Sequence, residues 1–311
     1  MQTINSDILI HEVGLRDGLQ IEQKHVPLET KIDWAMRLLD AKVPVLQLGS
    51  FVHPAKVPQM ADTDMLFKEI IERRQADHNT LLSGLVLNEK GMERGLACGA
   101  ECLCMGVSAS NTHSIKNTGM TTDDAINRII AMARIAKESG VHVQVSIQSA
   151  FGCGYEGLVD KSVVMDLVRQ YLDAGLTHIS LADTTGYAYP GQVIDYFSSI
   201  YELENDIQCT CHFHDTYGAG IANCLAAYQV GVRQFETSFG GLGGCPFTRI
   251  HSGNVCSEDL IYLAGRLTPS GLPDLNTYID LSREVGKFLG HELSGRIQRV
   301  GIPDFLTGDQ S

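Results

Sequence analysis

Residues 121–147 read TTDDAINRIIAMARIAKESGVHVQVSI and contain the local unit that decides the fold. Isoleucines and alanines recur at helical spacing behind Thr121, a residue type that caps helix N-termini, and this predicts a helix over 121–139. Gly140 suits the left-handed residue that often ends a helix. The short β-prone run at 141–147 is typical of a buried parallel strand. The stretch therefore predicts a helix followed directly by a strand.

The same unit recurs along the chain and predicts a barrel. In each copy an amphipathic run ends on a small residue or Gly, and a β-prone run follows. The predicted strands cover 8–13, 43–48, 81–87, 100–107, 141–147, 176–182, 207–214 and 232–237. Alternating strands and helices indicate a parallel sheet. Eight such units in about 265 residues fit a closed (β/α)8 TIM barrel better than an open sheet.

The predicted fold class is therefore α/β, with an extra C-terminal helical segment. Residues 273–289 have a helical pattern beyond the eighth unit, and no Pro- or Ser-rich linker divides the chain. We expect a single (β/α)8 domain over 1–311, in which 267–311 is a C-terminal extension. In such barrels the chemistry takes place at the carboxyl ends of the strands and in the loops that follow them.

The composition excludes several classes of protein. The 311 residues include 24 Lys and Arg against 37 Asp and Glu, a formal net charge of −13. Nucleic-acid and anionic-membrane surfaces need clustered cations, so neither partner is expected. No apolar run is long enough to span a bilayer. The nine cysteines form no C-x-x-C motif and no secretory leader is expected, which predicts a reduced, cytoplasmic protein.

Two histidines lie on one face of the seventh predicted strand. His212 and His214 are separated by one residue, and the period of two in a strand puts both side chains on the same side. On a rigid strand they could bind one metal ion, or they could simply be hydrogen-bonded at the end of the strand. The Cys-x-Cys pairs at 102/104 and 209/211 are expected to be small core residues rather than ligands.

Further polar residues follow other predicted strands. After the first strand, Asp17 could complete a metal site and Arg16 could stabilise a developing oxyanion, or the two could form a local ion pair that orders the loop. Asn254, after the eighth strand, could offer its carbonyl oxygen to a metal or cap the helix that follows. Asp183, at the end of the sixth strand, could supply another carboxylate or begin a helix.

A glycine-rich segment follows the eighth strand. Residues 239–246 read FGGLGGCP, in which the glycines allow a flexible lid and Cys245 could donate or accept a proton. The alternative is a mobile turn with an incidental cysteine. A phosphate-binding loop is excluded, because no Gly-Lys-Ser/Thr follows and G-x-G-x-x-G is absent.

Together these segments resemble the 3-hydroxy-3-methylglutaryl-CoA (HMG-CoA) lyase family, metallolyase barrels with a pyruvate-carboxyltransferase-like domain. The resemblance covers most of the chain in the right order, and GGLGGCP is its most specific part. The matching segments are EVGLRDGLQ at 12–20, SFV at 50–52, VPQM at 57–60, YEG at 155–157, DT at 183–184, HFHDTYG at 212–218, GGLGGCP at 240–246, SGN at 252–254 and EDL at 258–260.

The resemblance implies a divalent metal, Mg²⁺ or Mn²⁺, coenzyme A as part of the substrate, and a homodimer. It implies Arg16 at the thioester oxygen, His212 as the base for the substrate hydroxyl, and Cys245 as an acid–base group on a closing lid. The implied catalytic residues are Arg16, Asp17, His212 and Cys245, and the implied metal ligands are Asp17, His212, His214 and Asn254. The residues implied to contact substrate or coenzyme A are Gln20, Gln47, Ser50, Lys116, Asn117, Thr121, Asp183 and Arg249.

The sequence departs from the family's pattern at three places. Gln47 stands where an acidic residue is usual, and Leu15 where Pro is usual. Residues 247–251 are bulkier and more basic than expected, so Arg249 could meet an extra anionic group or lie on the surface. The loss of a negative charge at position 47 should change metal affinity, proton transfer or substrate choice.

The expected function is cleavage of an HMG-CoA-type thioester to acetyl-CoA and a 3-oxo acid such as acetoacetate. One alternative is a lyase for a different 3-hydroxy-3-substituted acyl-CoA. Another is a Claisen-type synthase that joins acetyl-CoA to a 2-oxo acid, against which the Arg16–Asp17 turn and the cysteine loop argue. The least favoured is a non-catalytic metal-binding paralogue.

Overall fold

Eight parallel strands form a closed barrel in chain order. The computed structural model describes residues 8–204, 206–244, 253–268 and 270–303. Each strand pairs with its two neighbours, and the first pairs with the last. The predicted TIM barrel is therefore confirmed. The strands are β1 (Leu9–Glu12), β2 (Val45–Ser50), β3 (Leu81–Leu85), β4 (Cys102–Ser108), β5 (His142–Gln148), β6 (His178–Asp183), β7 (Gln208–Phe213) and β8 (Gln234–Thr237).

Helices follow the strands and cover the outside of the barrel. A π-helical turn at Gly14–Gly18 follows β1, and 3-10 turns occur at Pro58–Met60 and Phe239–Gly241. Among the helices of the described ranges, none is long and apolar enough to cross a membrane. The helices are α1 (Leu28–Asp40), α2 (Thr63–Arg73), α3 (Glu89–Ala97), α4 (Asn111–Thr118), α5 (Thr122–Glu138), α6 (Lys161–Asp173), α7 (Pro190–Leu203), α8 (Gly220–Gln229), α9 (Ser257–Leu267), α10 (Leu275–Leu289) and α11 (Ile297–Val300).

The unit at 121–147 forms as the sequence predicts. The Thr121 hydroxyl accepts a hydrogen bond from the backbone N–H of Asp124 at 3.1 Å and so caps α5. The helix buries its apolar stripe against the barrel, and Gly140, which follows the end of the helix, has the left-handed backbone conformation with φ +83°. β5 then pairs in register with β4 from His142 to Gln148.

The two faces of the barrel strands differ in character. The outward-facing side chains of β5, such as Val145 and Ile147, are buried in the apolar layer beneath the helices. Several inward-facing side chains are polar and bonded to one another: His11 lies 2.9 Å from the Ser83 hydroxyl, and Gln144 donates to Glu236. Buried polar groups are normally paired in this way. The barrel interior is therefore a polar column that leads to the site.

The predicted C-terminal helical segment is present as α10 and α11. α10 packs against α1, α9 and the turn at Phe239–Gly241. Trp34 of α1 lies edge-on to Phe239 at 6.2 Å and to Phe288 at 5.6 Å between ring centroids. The segment therefore supports the start of the glycine-rich loop. The division into one domain over 1–311 with an extension from 267 stays a prediction.

Candidate active site

Three predicted metal ligands meet at the carboxyl end of the barrel. Asp17 lies on the π-helical turn after β1, His212 on β7, and His214 just beyond the end of β7. Their ligand atoms all lie within 4.8 Å of one another. The two Nε2 atoms are 3.3 Å apart, and Asp17 Oδ2 lies 3.8 Å from His212 Nε2 and 3.9 Å from His214 Nε2. One carboxylate and two imidazoles are a donor set that suits a divalent cation.

Asn254, the fourth predicted ligand, lies beside this group. It forms a β-bridge with His214, and its Nδ2 donates to Asp17 Oδ2 at 2.8 Å and to the Leu242 carbonyl at 2.9 Å. Its Oδ1 is buried without a hydrogen-bond partner. A buried amide oxygen without a partner is rare, and here a cation would satisfy it. The residues present therefore fit a metal ion.

Arg16 is held beside the ligand group by two neighbours. Its Nε donates to Gln47 Oε1 at 2.5 Å, and its Nη1 donates to Asp17 Oδ1. Burial acts to raise the pKa of Asp17, but the charge of Arg16 and the two histidines hold that pKa well below its usual range. Gln47 orients the guanidinium without adding a negative charge beside it, and the positive charge of Arg16 can stabilise a developing oxyanion.

Glu236 of β8 is a site residue that the sequence interpretation missed. Its Oε2 lies 2.6 Å from His212 Nδ1. The two residues are also register partners in the pairing of β7 with β8. Burial acts to raise the pKa of Glu236, but the bond and charge of His212 outweigh it and lower that pKa to about 2. The only available signal was a carboxylate between Phe235 and Thr237 in the short predicted strand.

The pKa values of the two histidines are shifted in opposite directions. Burial acts to lower the pKa of His212, but the hydrogen bond and charge of Glu236 raise it above its ordinary value. Burial, together with the neighbouring His212, lowers the pKa of His214 to about 4. Since His212 Nδ1 is bonded to Glu236, Nε2 is the nitrogen that faces Asp17. That atom can bind a cation or accept a proton, but it cannot do both at once.

A cavity of about 630 Å³ opens above this group. Gln144 and Glu236 also line it, as do His53, Lys56 and Arg128. Most of the described residues that were predicted to form the site therefore share one cavity. Those that line it are Arg16, Asp17, Gln20, Gln47, Ser50, Asn117, His212 and His214.

Three predicted contact residues lie outside the cavity lining. The Lys116 ammonium stacks 3.9 Å above the Tyr155 ring, and the exposed Thr121 caps α5. Asp183 is buried and accepts hydrogen bonds from the N–H groups of residues 187 and 188, and its burial raises its pKa to about 6. Cys245 and Arg249 lie outside the described residues, so their predicted roles stay predictions.

The inner face of α4 adds polar residues that were not predicted. His113, Ser114 and Thr118 line the cavity beside Asn117. Asn117 and Thr118 lie four residues after His113 and Ser114, respectively, so these residues share one face of the helix, which the sequence pattern could have shown. His113 Nδ1 and Ser114 Oγ are buried without hydrogen-bond partners, so this face is equipped to bind a polar ligand.

Comparisons with known proteins show the family of this chain. The model of a family described as HMGL-like matches residues 7–285. The (R)-citramalyl-CoA lyase of Chloroflexus aurantiacus is 36% identical over 94% of this chain and 95% of its own length. The structure of an HMG-CoA lyase from Acinetobacter baumannii, in complex with coenzyme A and 3-methylmalate, is 35% identical, with a TM-score of 0.89 over 97% of both chains. The Bacillus subtilis HMG-CoA lyase structure is 31% identical, with a TM-score of 0.91 over 96% of this chain and 98% of its own.

All three relatives are carbon–carbon lyases of acyl-CoA thioesters. This protein has the same TIM-barrel fold and brings carboxylate, imidazole and guanidinium groups together in one cavity. It is therefore an acyl-CoA lyase as well. The chain belongs to the HMGL-like family. The predicted family and the predicted enzyme class are both confirmed.

Proposed function

We propose that the protein cleaves an HMG-CoA-type thioester to acetyl-CoA and acetoacetate, with Mg²⁺ or Mn²⁺ held by Asp17, His212, His214 and Asn254. The convergence of Asp17, His212 and His214 with Arg16 in one cavity, with Asn254 bonded to Asp17, carries the proposal. The coenzyme A bound to the Acinetobacter relative supports an acyl-CoA substrate. The relatives are named as lyases, so the Claisen-type synthase and the non-catalytic paralogue are not adopted.

The reaction requires two proton movements and one bond cleavage. The hydroxyl on carbon 3 loses its proton and becomes a ketone as the bond between carbons 2 and 3 breaks. The electron pair moves to carbon 2 and the thioester oxygen, and carbon 2 then takes a proton to give acetyl-CoA. A bound divalent cation would lower the pKa of the hydroxyl and orient the substrate carboxylate.

The chain's own residues supply the remaining roles. Arg16, oriented by Gln47 and Asp17, stabilises the enolate oxygen. In the resting state we assign His212 Nε2 as a metal ligand. The predicted role of His212 as the base requires that Nε2 is not bound to the metal when the hydroxyl proton moves. Cys245 is assigned from the family resemblance as the group that returns a proton to carbon 2.

Steady-state cleavage of HMG-CoA tests this proposal directly. With Mn²⁺, we expect acetyl-CoA and acetoacetate in equal amounts, read by mass spectrometry. Asp17→Ala should lower kcat by at least about 100-fold, since it removes a ligand and a partner of Arg16. The matched control is Asp160→Asn, because Asp160 caps α6 on the surface and should affect only stability. An inactive Mn²⁺-treated wild-type protein, or an unaffected Asp17→Ala, would refute the proposal.

A second candidate substrate is (R)-citramalyl-CoA, which would give acetyl-CoA and pyruvate. Its carboxylate is attached directly to carbon 3, one methylene closer than in HMG-CoA. The neutral Gln47 favours this candidate, because it leaves the positive charge of Arg16 available to a nearby carboxylate. The Chloroflexus relative is named for this substrate.

The ratio of kcat/KM for the two thioesters decides between them. If Gln47 sets the preference, Gln47→Glu should shift the ratio toward HMG-CoA by about tenfold or more, because a carboxylate there would neutralise Arg16 and repel the closer substrate carboxylate. An unchanged ratio in the variant would assign the preference to other residues.

We also propose, from the family resemblance, that the protein is a cytoplasmic homodimer. Light scattering should then give about twice the chain mass of 33.9 kDa. A mass of one chain would refute the dimer.

A further inference from the structure

A buried carboxylate beneath the ligand group has no role in the proposed reaction. Glu236 lies near the end of β8, with only 7% of its surface exposed. Its neighbours are on three other strands: His212 on β7, Gln144 on β5 and His11 on β1. Leaving a carboxylate in such a position is costly unless it is paired, so its partners indicate what it does.

The contact with His212 fixes which nitrogen carries the proton. Glu236 Oε2 lies 2.6 Å from His212 Nδ1, and an ionised carboxylate can only accept a hydrogen bond. The neutral ring must therefore carry its proton on Nδ1, which leaves the lone pair on Nε2. That lone pair is on the side of His214 Nε2, 3.3 Å away, and of Asp17 Oδ2, 3.8 Å away.

The second oxygen of Glu236 is held by residues of two other strands. Gln144 Nε2 donates to Oε1, and His11 Nδ1 lies 3.7 Å from the same oxygen. His11 is itself oriented by the Ser83 hydroxyl on β3, 2.9 Å from its Nε2. The carboxylate therefore cannot rotate away from His212 without losing contacts to other strands.

We propose that Glu236 is a positioning residue that holds His212 in the tautomer whose Nε2 can bind a cation. The inference rests on the proposed metal site and adds a residue that the sequence motifs did not include. Where a carboxylate accepts a hydrogen bond from the second ring nitrogen of a metal-binding histidine, its mutation typically lowers metal affinity by about 10- to 100-fold.

Glu236→Gln separates this role from simple filling of the core. The amide has nearly the same shape but only one oxygen, so it cannot accept hydrogen bonds from both His212 and Gln144. We expect Mn²⁺ affinity to fall by about 10- to 100-fold. Glu236→Asp keeps the charge and both oxygens at a shorter reach, and we expect it to recover part of the affinity.

Glu101→Gln is the matched structural control. Glu101 precedes β4 at the amino end of the barrel, where its carboxylate accepts from the Leu82 N–H and from Arg74, both at 2.8 Å. Glu101→Gln also replaces a carboxylate by an amide, but far from the ligand group. It should lower the melting temperature without changing Mn²⁺ affinity.

Two measurements test the proposal on the full chain. Calorimetry with Mn²⁺ gives the affinity, and nitrogen-15 spectra of histidine-labelled, metal-free protein report which His212 nitrogen carries the proton. We expect the Nδ1–H tautomer in wild type and a population of Nε2–H in Glu236→Gln. Wild-type affinity and an unchanged tautomer in Glu236→Gln would overturn the proposal, as would an affinity loss no larger than that of Glu101→Gln. A wild-type protein that binds no Mn²⁺ would refute the metal site instead, and the nitrogen spectra would still support or overturn the tautomer assignment.

Discussion

Glu12 joins the two loops that carry the predicted catalytic residues, and its burial makes stability depend on pH. Its Oε1 accepts hydrogen bonds from the N–H groups of Gly14 at 2.7 Å and Phe239 at 3.1 Å. Its Oε2 accepts from the Ser257 hydroxyl at 2.5 Å. Burial raises the pKa of Glu12 from 4.5 to about 7, although these hydrogen bonds offset part of the shift.

The direction of the effect follows from proton linkage. The unfolded carboxyl loses its proton near pH 4.5 and the folded one near pH 7, so unfolding between these values releases a proton. The contribution of Glu12 to stability is therefore fully present below about pH 4.5 and is lost as the pH rises through about 7. The shift corresponds to about 3 kcal/mol in total, of which about 2.5 kcal/mol falls between pH 5 and pH 8.

Glu12→Gln removes this titration and keeps an oxygen that can accept the two backbone hydrogen bonds. Relative to wild type, its free energy of unfolding should therefore rise by about 2.5 kcal/mol between pH 5 and pH 8. Guanidinium denaturation followed by circular dichroism at both pH values measures this difference.

Ser257→Ala is the control for Glu12→Gln. It removes a hydrogen bond that favours the charged carboxyl, so the pKa of Glu12 should rise further and the loss of stability should extend to higher pH. Parallel stability curves for wild type and Glu12→Gln would refute the reasoning.

Three further predictions concern packing, the metal and Cys245. Gly106→Ala would place a Cβ 2.3 Å from the Ser146 carbonyl oxygen on β5, so it should lower the free energy of unfolding by about 1–3 kcal/mol, and an unchanged thermal melt would contradict this. Dialysis against a chelator should abolish cleavage and added Mn²⁺ should restore it, whereas full activity after dialysis would contradict the metal assignment. Cys245→Ala should lower turnover about 100-fold with Mn²⁺ affinity nearly unchanged, and an equal loss of bound metal would contradict its assigned role.

The fold could be predicted from the sequence because its signals are local. The units built on α3, α5 and α6 each have a side-chain cap, an apolar stripe and a glycine at positive φ after the helix. The strand ends were less accurate: the first strand was predicted over 8–13, but it ends at Glu12 because the π-helical turn begins at Gly14.

The meeting of Asp17, His212 and His214 could also be predicted, because the two histidines lie on one face at the carboxyl end of β7 and Asp17 follows the carboxyl end of β1, at the same end of the barrel. Glu236 could not be assigned, because its role depends on His212, 24 residues away in sequence, and on Gln144, 92 residues away. Such contacts come from barrel closure rather than from any local pattern.

The contact residues taken from the resemblance agree least well with the cavity lining. Lys116 and Asn117 are adjacent in sequence, but successive residues on a helix point in different directions. Asn117 therefore lines the cavity, while Lys116 stacks on Tyr155. Thr121 is used instead to cap α5.

The most direct test of metal-dependent carbon–carbon cleavage is a single competition assay. Chelator-treated protein is mixed with equal amounts of HMG-CoA and (R)-citramalyl-CoA, with and without Mn²⁺, and acetyl-CoA, acetoacetate and pyruvate are quantified by mass spectrometry. We predict acetyl-CoA matched by an equal amount of acetoacetate and pyruvate combined, and only when Mn²⁺ is present. No acetyl-CoA from either thioester with Mn²⁺, or equal rates without it, would contradict the assignment.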